Sequence, residues 1–339
     1  VAIEGGRATE IPLDVDVKLE MGPRLKFEYP ISDDTDMVVT QIRDGVPSPD
    51  GTKLAFTALN RLYVMSVPNG EPKRLTDFDM TEAMPTWSPD GKTVAFATWS
   101  DTEGGSLYKV NVEGKPRPVK ITSESAIYMT PVWAPNNRIV FTKGSAQNLK
   151  DASGPGAARA DEDLCWISAD GGDINFIMKT RGKGGPDFVN GSDRIYLSGF
   201  NGLSSVRWDG TDEQFHLQVT GKSSAGGGNG ARASWIKMAP EGDQALAEVV
   251  NDLFVVTVPQ VSDEAPTISV ANPDNAAFPS KQLTDIGGQF PAWSWDAKKV
   301  HWAVGNAHGV WDFEAEKAFN EALEAEKKAQ KEAAESEEK

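Results

Sequence analysis

Residues 86–100 read TWSPDGKTVAFATWS. Pro89 holds its own φ near the value a turn requires, and Asp90-Gly91 tolerates the positive φ that closes a tight reversal. The apolar run that follows is rich in strand-forming residues, so the stretch is a strand end, a turn and a second strand. Nearly the same wording, VPSPDGTKLAFTA, stands at 46–58. The chain therefore repeats itself, and the repeat decides the fold.

Four looser copies follow: VWAPNNRIVF from 132, DFVNGSDRIYL from 187, KMAPEGDQALAEV from 237 and AWSWDAKKVHWAV from 292. Between the turn residues Asp50, Asp90, Asn136, Asn190, Glu241 and Asp296 the spacings are 40, 46, 54, 51 and 55. Most units continue with a third, aromatic or apolar strand (RLYVMSV, SLYKVNV, LCWISAD, SSVRWDG, DLFVVTV), and several close on KRLTD, VKITS, LQVTG or KQLTD. Four short strands per unit at this period predict an all-β β-propeller of four-stranded antiparallel blades, about six units in this chain. A single such sheet cannot bury both faces, so blades must stack around an axis. Trp87, Trp133 and Trp293, recurring at the end of the first strand, are expected as wedges between blades.

Composition agrees. Thirty-two Gly and 21 Pro suit short strands and tight turns. A formal charge of -16 argues against polyanionic partners, so neither nucleic acid nor an anionic membrane is expected. No apolar run is long enough to cross a membrane. The one cysteine, Cys165, excludes an intrachain disulfide and, in DLCWISAD, is expected to be a buried strand residue.

The chain divides into three parts. Residues 1–40 alternate as strands but lack the turn motif, as closing strands of a preceding blade and a linker would. Residues 41–311 form the propeller. Residues 312–339, rich in Ala, Glu and Lys, carry ten acidic and five basic residues. They predict a helix that docks by its first turns and then frays, the place of a charged insertion or linker. A chain beginning with Val and ending in EAAESEEK is expected to be a piece of a longer protein.

Catalytic motifs are not found. His216, His301 and His308 lack the spacing of a metal-binding pair, Gly-x-Ser-x-Gly does not occur, and GKSSAGGGNGARAS (221–234) lacks the first glycine of a phosphate loop. No catalytic, cofactor or metal residue is assigned. The Asn190-Gly191-Ser192 sequon occupies a strand-connecting turn. Binding is expected where the loops entering each innermost strand gather at one mouth of the axial channel: 77–85, 123–131, 181–187 and 284–291. Asp79, Glu82, Tyr128 and Gln289 are the candidates there.

The Ser-Pro-Asp-Gly turn, apolar strand, aromatic strand and closing Leu-Thr together resemble the TolB-like propeller repeat, best at 46–77 and 86–122. Residues 41–110 further resemble the propeller of large exported bacterial proteins in which such repeats precede an amidohydrolase domain. That resemblance implies a periplasmic or secreted, non-catalytic propeller that gates or orients substrate, or mediates assembly. The covalently attached hydrolase would cleave carbon–nitrogen bonds with a divalent metal held downstream. A free-standing periplasmic TolB-like scaffold that binds protein partners, and the gating propeller of a serine peptidase, share the same expected fold.

Overall fold

A computed structural model describes residues 2–19, 22, 33–151, 163–222, 230–259 and 264–337. The chain separates into two units, Val1–Val38 and Val39–Lys339. In the first, Ala2–Glu4 pairs antiparallel with Arg7–Thr9. Residues 10–19 form no strand, so the alternation there does not become the closing strands expected from sequence, and Leu13, Val17 and Leu19 are exposed.

The second unit is an all-β propeller of six blades. Blades 1 and 2 each run consecutively outward: Arg43–Pro47, Lys53–Ala58, Arg61–Ser66 and Lys73–Arg74, then Thr81–Trp87, Thr93–Ser100, Gly104–Asn111 and Val119–Lys120. Blade 3 comprises Ile127–Ala134, Arg138–Gly144, Asp163–Ser168 and Asn175–Lys179. Blade 4 begins Gly184–Asp187, Ile195–Gly199, Gly202–Val206 and Gln214–Gly221, then departs from the plan: Gln214–Gly221 also pairs with Ala231–Arg232 and, in parallel, with Thr267–Ser269. Blade 5 is Trp235–Met238, Gln244–Val249, Asp252–Thr257 and Ser280–Gln282; blade 6 has three strands, Gln289–Trp293, Lys299–Val304 and Ala307–Asp312. Residues 223–229, within the GKSSAGGGNGARAS stretch, lie outside the described residues.

The turn motifs that keep Ser and Asp, in blades 1, 2 and 6, form a small hydrogen-bonded knot. In blade 2, Ser88 Oγ lies 2.6 Å from Asp90 Oδ1 and accepts the Thr93 amide at 3.0 Å, while Asp90 Oδ1 accepts the Lys92 amide. Ser48 and Asp50 repeat this in blade 1. Ser294 and Asp296 repeat it in blade 6, although Trp295 and Ala297 replace Pro and Gly. The degenerate SWDA therefore keeps the turn geometry because Ser and Asp, rather than Pro and Gly, supply its bonds.

Five apolar cores form between successive blades. That between blades 1 and 2 joins Ala55, Leu62 and Leu75 to Trp87, Val94 and Phe96. Trp87, Trp133 and Trp293 are buried at these seams, as wedges should be. The indoles of Trp87 and Trp293 reach back to the preceding blade's first strand, donating to Val46 O at 3.0 Å and Lys237 O at 3.4 Å. The closing Leu-Thr also acquires a reason: Leu283 is buried and the Thr284 hydroxyl accepts the Leu253 amide, as Thr122 accepts that of Leu107.

The ring closes where the Ile42 amide donates to Gly305 O at 3.0 Å and Asn306 to Val39 O at 2.9 Å. Farther from the axis, the seam between blades 6 and 1 opens into an apolar groove of ≈ 990 Å³ walled by Leu54, Phe56 and Tyr63 on one side and His301, His308 and Val310 on the other. The C-terminal helix, Phe313–Glu337, is capped by Asp312, whose Oδ1 accepts the Glu314 and Ala315 amides. Phe313 stacks on Trp293. Phe319 and Leu323 remain exposed, and the helix continues to Glu337 instead of fraying after its first turns.

Candidate functional site

The first strands of all six blades line an axial channel of ≈ 450 Å³. Five of them carry a β-bulge, and at each bulge one residue adopts a left-handed backbone: Asp44 (φ 52°), Met84 (54°), Thr130 (47°), Gly185 (59°) and Phe290 (53°). Only Gly enters that region freely, and a β-branched residue such as Thr130 is a steric outlier there. In four of the five the next residue is proline: Pro85, Pro131, Pro186 and Pro291. Proline has no N–H for the ladder, and the bulge leaves a place where none is needed. Strained backbone of this kind persists only where its surroundings enforce it.

Those surroundings include bonds from blade to blade. The Met84 amide donates to Asp44 Oδ2 at 3.1 Å, the Thr130 amide meets Met84 Sδ at 3.1 Å, and the Trp133 amide donates to Thr86 Oγ1. Lys237 of blade 5 approaches Asp187 of blade 4, Nζ to Oδ1 3.4 Å.

Two channel carboxylates are set apart by their environment. Burial pushes the Asp44 carboxyl above the usual carboxylate range, against the opposing pull of the Met84 amide. Burial also raises Asp187, which Lys237 offsets in part. Among the described residues, Asp187 Oδ2 and Thr130 Oγ1 are buried side-chain oxygens without a hydrogen-bond partner. Phe290, Trp235 and Trp293 contribute aromatic wall.

None of the four residues expected from sequence lines this channel. Asp79 is exposed and pairs with Arg61 at 2.9 Å. Glu82 is buried at the blade 1–2 seam, where Oε2 accepts the Leu62 amide at 2.7 Å and Oε1 accepts from Thr76. It stands in for the threonine hydroxyl that does this work in blades 2 and 5. Tyr128 is buried, its hydroxyl donating to Glu124 O, and burial lifts its pKa above the usual phenol range. Gln289 accepts from Gln41 across the closure at 2.7 Å. The channel is lined instead by the ends of the same four loops and the strand residues that follow, in the recurring x-Pro-x-aromatic run MPTW, TPVW, GPDF and FPAW.

The other chemistry-bearing residues are placed as follows. Burial pushes the Cys165 thiol up to about 11, which suppresses the reactive thiolate. His216 bonds Ser205 at 2.8 Å. His301 and His308 stack, Nδ1 to Nε2 3.1 Å, on the blade 6 hairpin. That pair gains no third ligand: among the described residues no group of three His, Cys, Asp or Glu could hold a metal ion. Among the described residues no helix is long and apolar enough to cross a membrane.

No family model matches the chain. A stretch of 65 residues, 18% of the chain, is 42% identical to an uncharacterized peptidase, YuxL, of Bacillus subtilis. Another of 101 residues, 28% of the chain, is 28% identical to the Tol-Pal system protein TolB of Alcanivorax borkumensis. These matches span 10% and 23% of the two relatives' lengths. Among solved structures, a gluconolactonase from Xanthomonas campestris superimposes with a TM-score of 0.55 at 12% identity, over 81% of this chain and 86% of that one. The chain is a β-propeller. Over the 101 matched residues its repeats resemble those of TolB.

Proposed function

We propose that this chain is the recognition propeller of a larger exported hydrolase, and that its axial channel binds and orients substrate or partner for an attached catalytic domain. The observation that carries the reading is the channel itself. Six blades converge on it, and five of them hold strained bulges at its wall. Strained backbone is costly, and it gathers where function calls for it. The resemblance of residues 41–110 to amidohydrolase-linked propellers supports a metal-dependent carbon–nitrogen hydrolase as the attached domain, and an exported, periplasmic setting.

The likeness to the YuxL peptidase favours a second reading, in which the attached domain is a serine peptidase. The TolB likeness supports a third, a scaffold that binds proteins without a catalytic domain. Sequencing the gene on both sides of this segment and assaying the intact product separates them. Amide hydrolysis abolished by a chelator supports the first reading. Labelling by a fluorophosphonate at a Gly-x-Ser-x-Gly serine supports the second and overturns the first. A reading frame that ends soon after Lys339 overturns both and leaves the scaffold.

A further inference from the structure

The internal repeat shows what the seam between blades 6 and 1 lacks. In blades 1, 5 and 6 a two-residue turn joins the second strand to the third, so their registers align: Ala58 opposite Arg61, Val249 opposite Asp252 and Val304 opposite Ala307. Counted from that turn, His308 and Val310 take the places of Leu62 and Val64 in blade 1 and of Leu253 and Val255 in blade 5. The sister residues are buried in the core shared with the next blade, Val64 at 8% exposure and Val255 at 4%. Val310 is 45% exposed.

Two groups that cover the sister residues have no counterpart here among the described residues. The first is the wedge: Pro47 stands in blade 1 at the register of Trp87 in blade 2 and Trp293 in blade 6. The second is the closing strand. In blade 1 Lys73 lies opposite Val64, and the Leu75 amide donates to Leu62 O at 3.1 Å. In blade 5 Lys281 lies opposite Val255, and the Leu283 amide donates to Leu253 O at 2.8 Å. Both segments read Lys-x-Leu-Thr, and both leucines are buried in their seams. Blade 2 does the same with Val119-Lys120-Ile121-Thr122, whose Ile121 amide donates to Leu107 O at 2.8 Å. Among the described residues nothing pairs with the outer edge of Ala307–Asp312.

The groove of ≈ 990 Å³ is what these two absences leave. On its blade 1 side Leu54, Phe56 and Ala58 cluster with Ile42, Tyr63 and Met65, and among the described residues no side chain of blade 6 joins them. On its blade 6 side His301 and His308 bond each other, and Lys299 is paired with Asp312 at 2.9 Å. Such walls complement an apolar side chain, and the free strand edge complements extended backbone. The formal charge of -16 favours a segment that also carries the lysine of the sister strands.

We propose that this groove docks an extended segment of a partner protein of the pattern Lys-x-Leu-Thr, added antiparallel to Ala307–Asp312 as the fourth strand of blade 6. The partner's lysine lies opposite Val310, its leucine amide donates to His308 O, and its leucine side chain enters the groove. Its threonine hydroxyl accepts the His308 amide, as Thr284 accepts that of Leu253 at 2.9 Å. The site lies at a blade seam, away from the axial channel, and does not depend on the reading of that channel.

The probe is the closing segment of blade 5 itself, the acetylated and amidated peptide Ser-Lys-Gln-Leu-Thr-Asp-Ile-Gly (280–287), titrated into the isotope-labelled chain 1–339. Saturable NMR shifts are expected at the His308 and Val310 amides. The Leu283→Asp form of the peptide is expected to bind about tenfold or more weakly, because it has no apolar side chain to bury. Val310→Lys, at an exposed position of the protein, is expected to weaken the unaltered peptide to a similar degree; the peptide pair keeps the test independent of how that variant folds. Equal binding of the Leu283→Asp peptide, shifts confined to residues away from the groove, or no saturable binding overturns the site. The same titration on the intact gene product tests the occupant. Binding retained there is expected of a site open to a partner. Binding lost there shows that another part of the chain fills the groove, and a dimer of the intact product that Val310→Lys dissolves gives it to a second copy; either result overturns the assignment to a partner.

Discussion

At the scale of single residues, the turn knots explain why SWDA at 294–297 keeps the geometry of the two SPDG turns: it retains Ser and Asp, which supply the bonds. Ala297 sits at φ 55°, where Gly51 (68°) and Gly91 (69°) stand in the sister turns. An L-residue pays a steric penalty there, partly offset by its lower unfolded-state entropy. Ala297→Gly is expected to stabilise the protein by up to about 1 kcal/mol, read as a rise in the denaturation midpoint; a loss of stability would contradict the turn geometry. The same turns bias acid stability. The Ser88 hydroxyl beside Asp90 holds its carboxyl below the ordinary 3.8, as Ser48 does for Asp50. A carboxyl depressed in the folded state contributes stability that is present above its unfolded value and lost as pH falls through its folded one. Asp90→Ala is therefore expected to lower Tm at pH 7, with the gap to wild type closing as pH falls below 3.8. A gap that stays constant down to pH 2 would show that the carboxylate charge is not what stabilises the turn. Asp44, Asp187 and Glu82 have the opposite sign: burial raises them, so they favour the folded state on acidification. At this scale the sequence was legible where a motif repeats. It was misleading at Glu82, whose acidic side chain in a loop-entering segment reads as a surface group until the Leu62 amide is brought against it from the preceding blade.

At the scale of elements, apolar seams hold one blade to the next. Trp87 is 2% exposed, packs against Leu62 and Leu75 of blade 1, and reaches Val46 O. Trp87→Ala is expected to cost about 3–5 kcal/mol and to uncouple blade 1 from blade 2. Hydrogen exchange would show this as faster exchange at both sides of the seam; a change confined to blade 2 would refute the wedge. Strand order within blades was legible because apolar strands and tight turns alternate along the chain. The elaboration of blade 4 was not, since Thr267–Ser269 joins Gln214–Gly221 in parallel across the whole of blade 5's first three strands. No local pattern encodes a pairing made between segments that distant.

At the scale of the whole molecule, closure is uneven. Hydrogen bonds join the chain near Val39–Ile42 to blade 6, while the outer seam stays open as a groove. Among the described residues Ala307–Asp312 pairs on one side only, and Val310 is 45% exposed. Unpaired edges beside apolar surface promote association. The isolated chain is expected to self-associate, and Val310→Lys to reduce this; a monodisperse monomer of the wild-type chain by light scattering would contradict it. The sequence by itself determined the all-β class, the blade repeat, the turn positions and the aromatic wedges. Each follows from residues close together in the chain, whose φ preferences and period-two burial act locally. Only the tertiary structure decided that Asp187 and Lys237 meet, that Thr130 and Asp44 share a channel with them, and that His301 and His308 pair, with no third ligand among the described residues. Those relations depend on how far each blade is rotated about a common axis. Rotation is set by packing summed over five seams, and no stretch of sequence carries that sum.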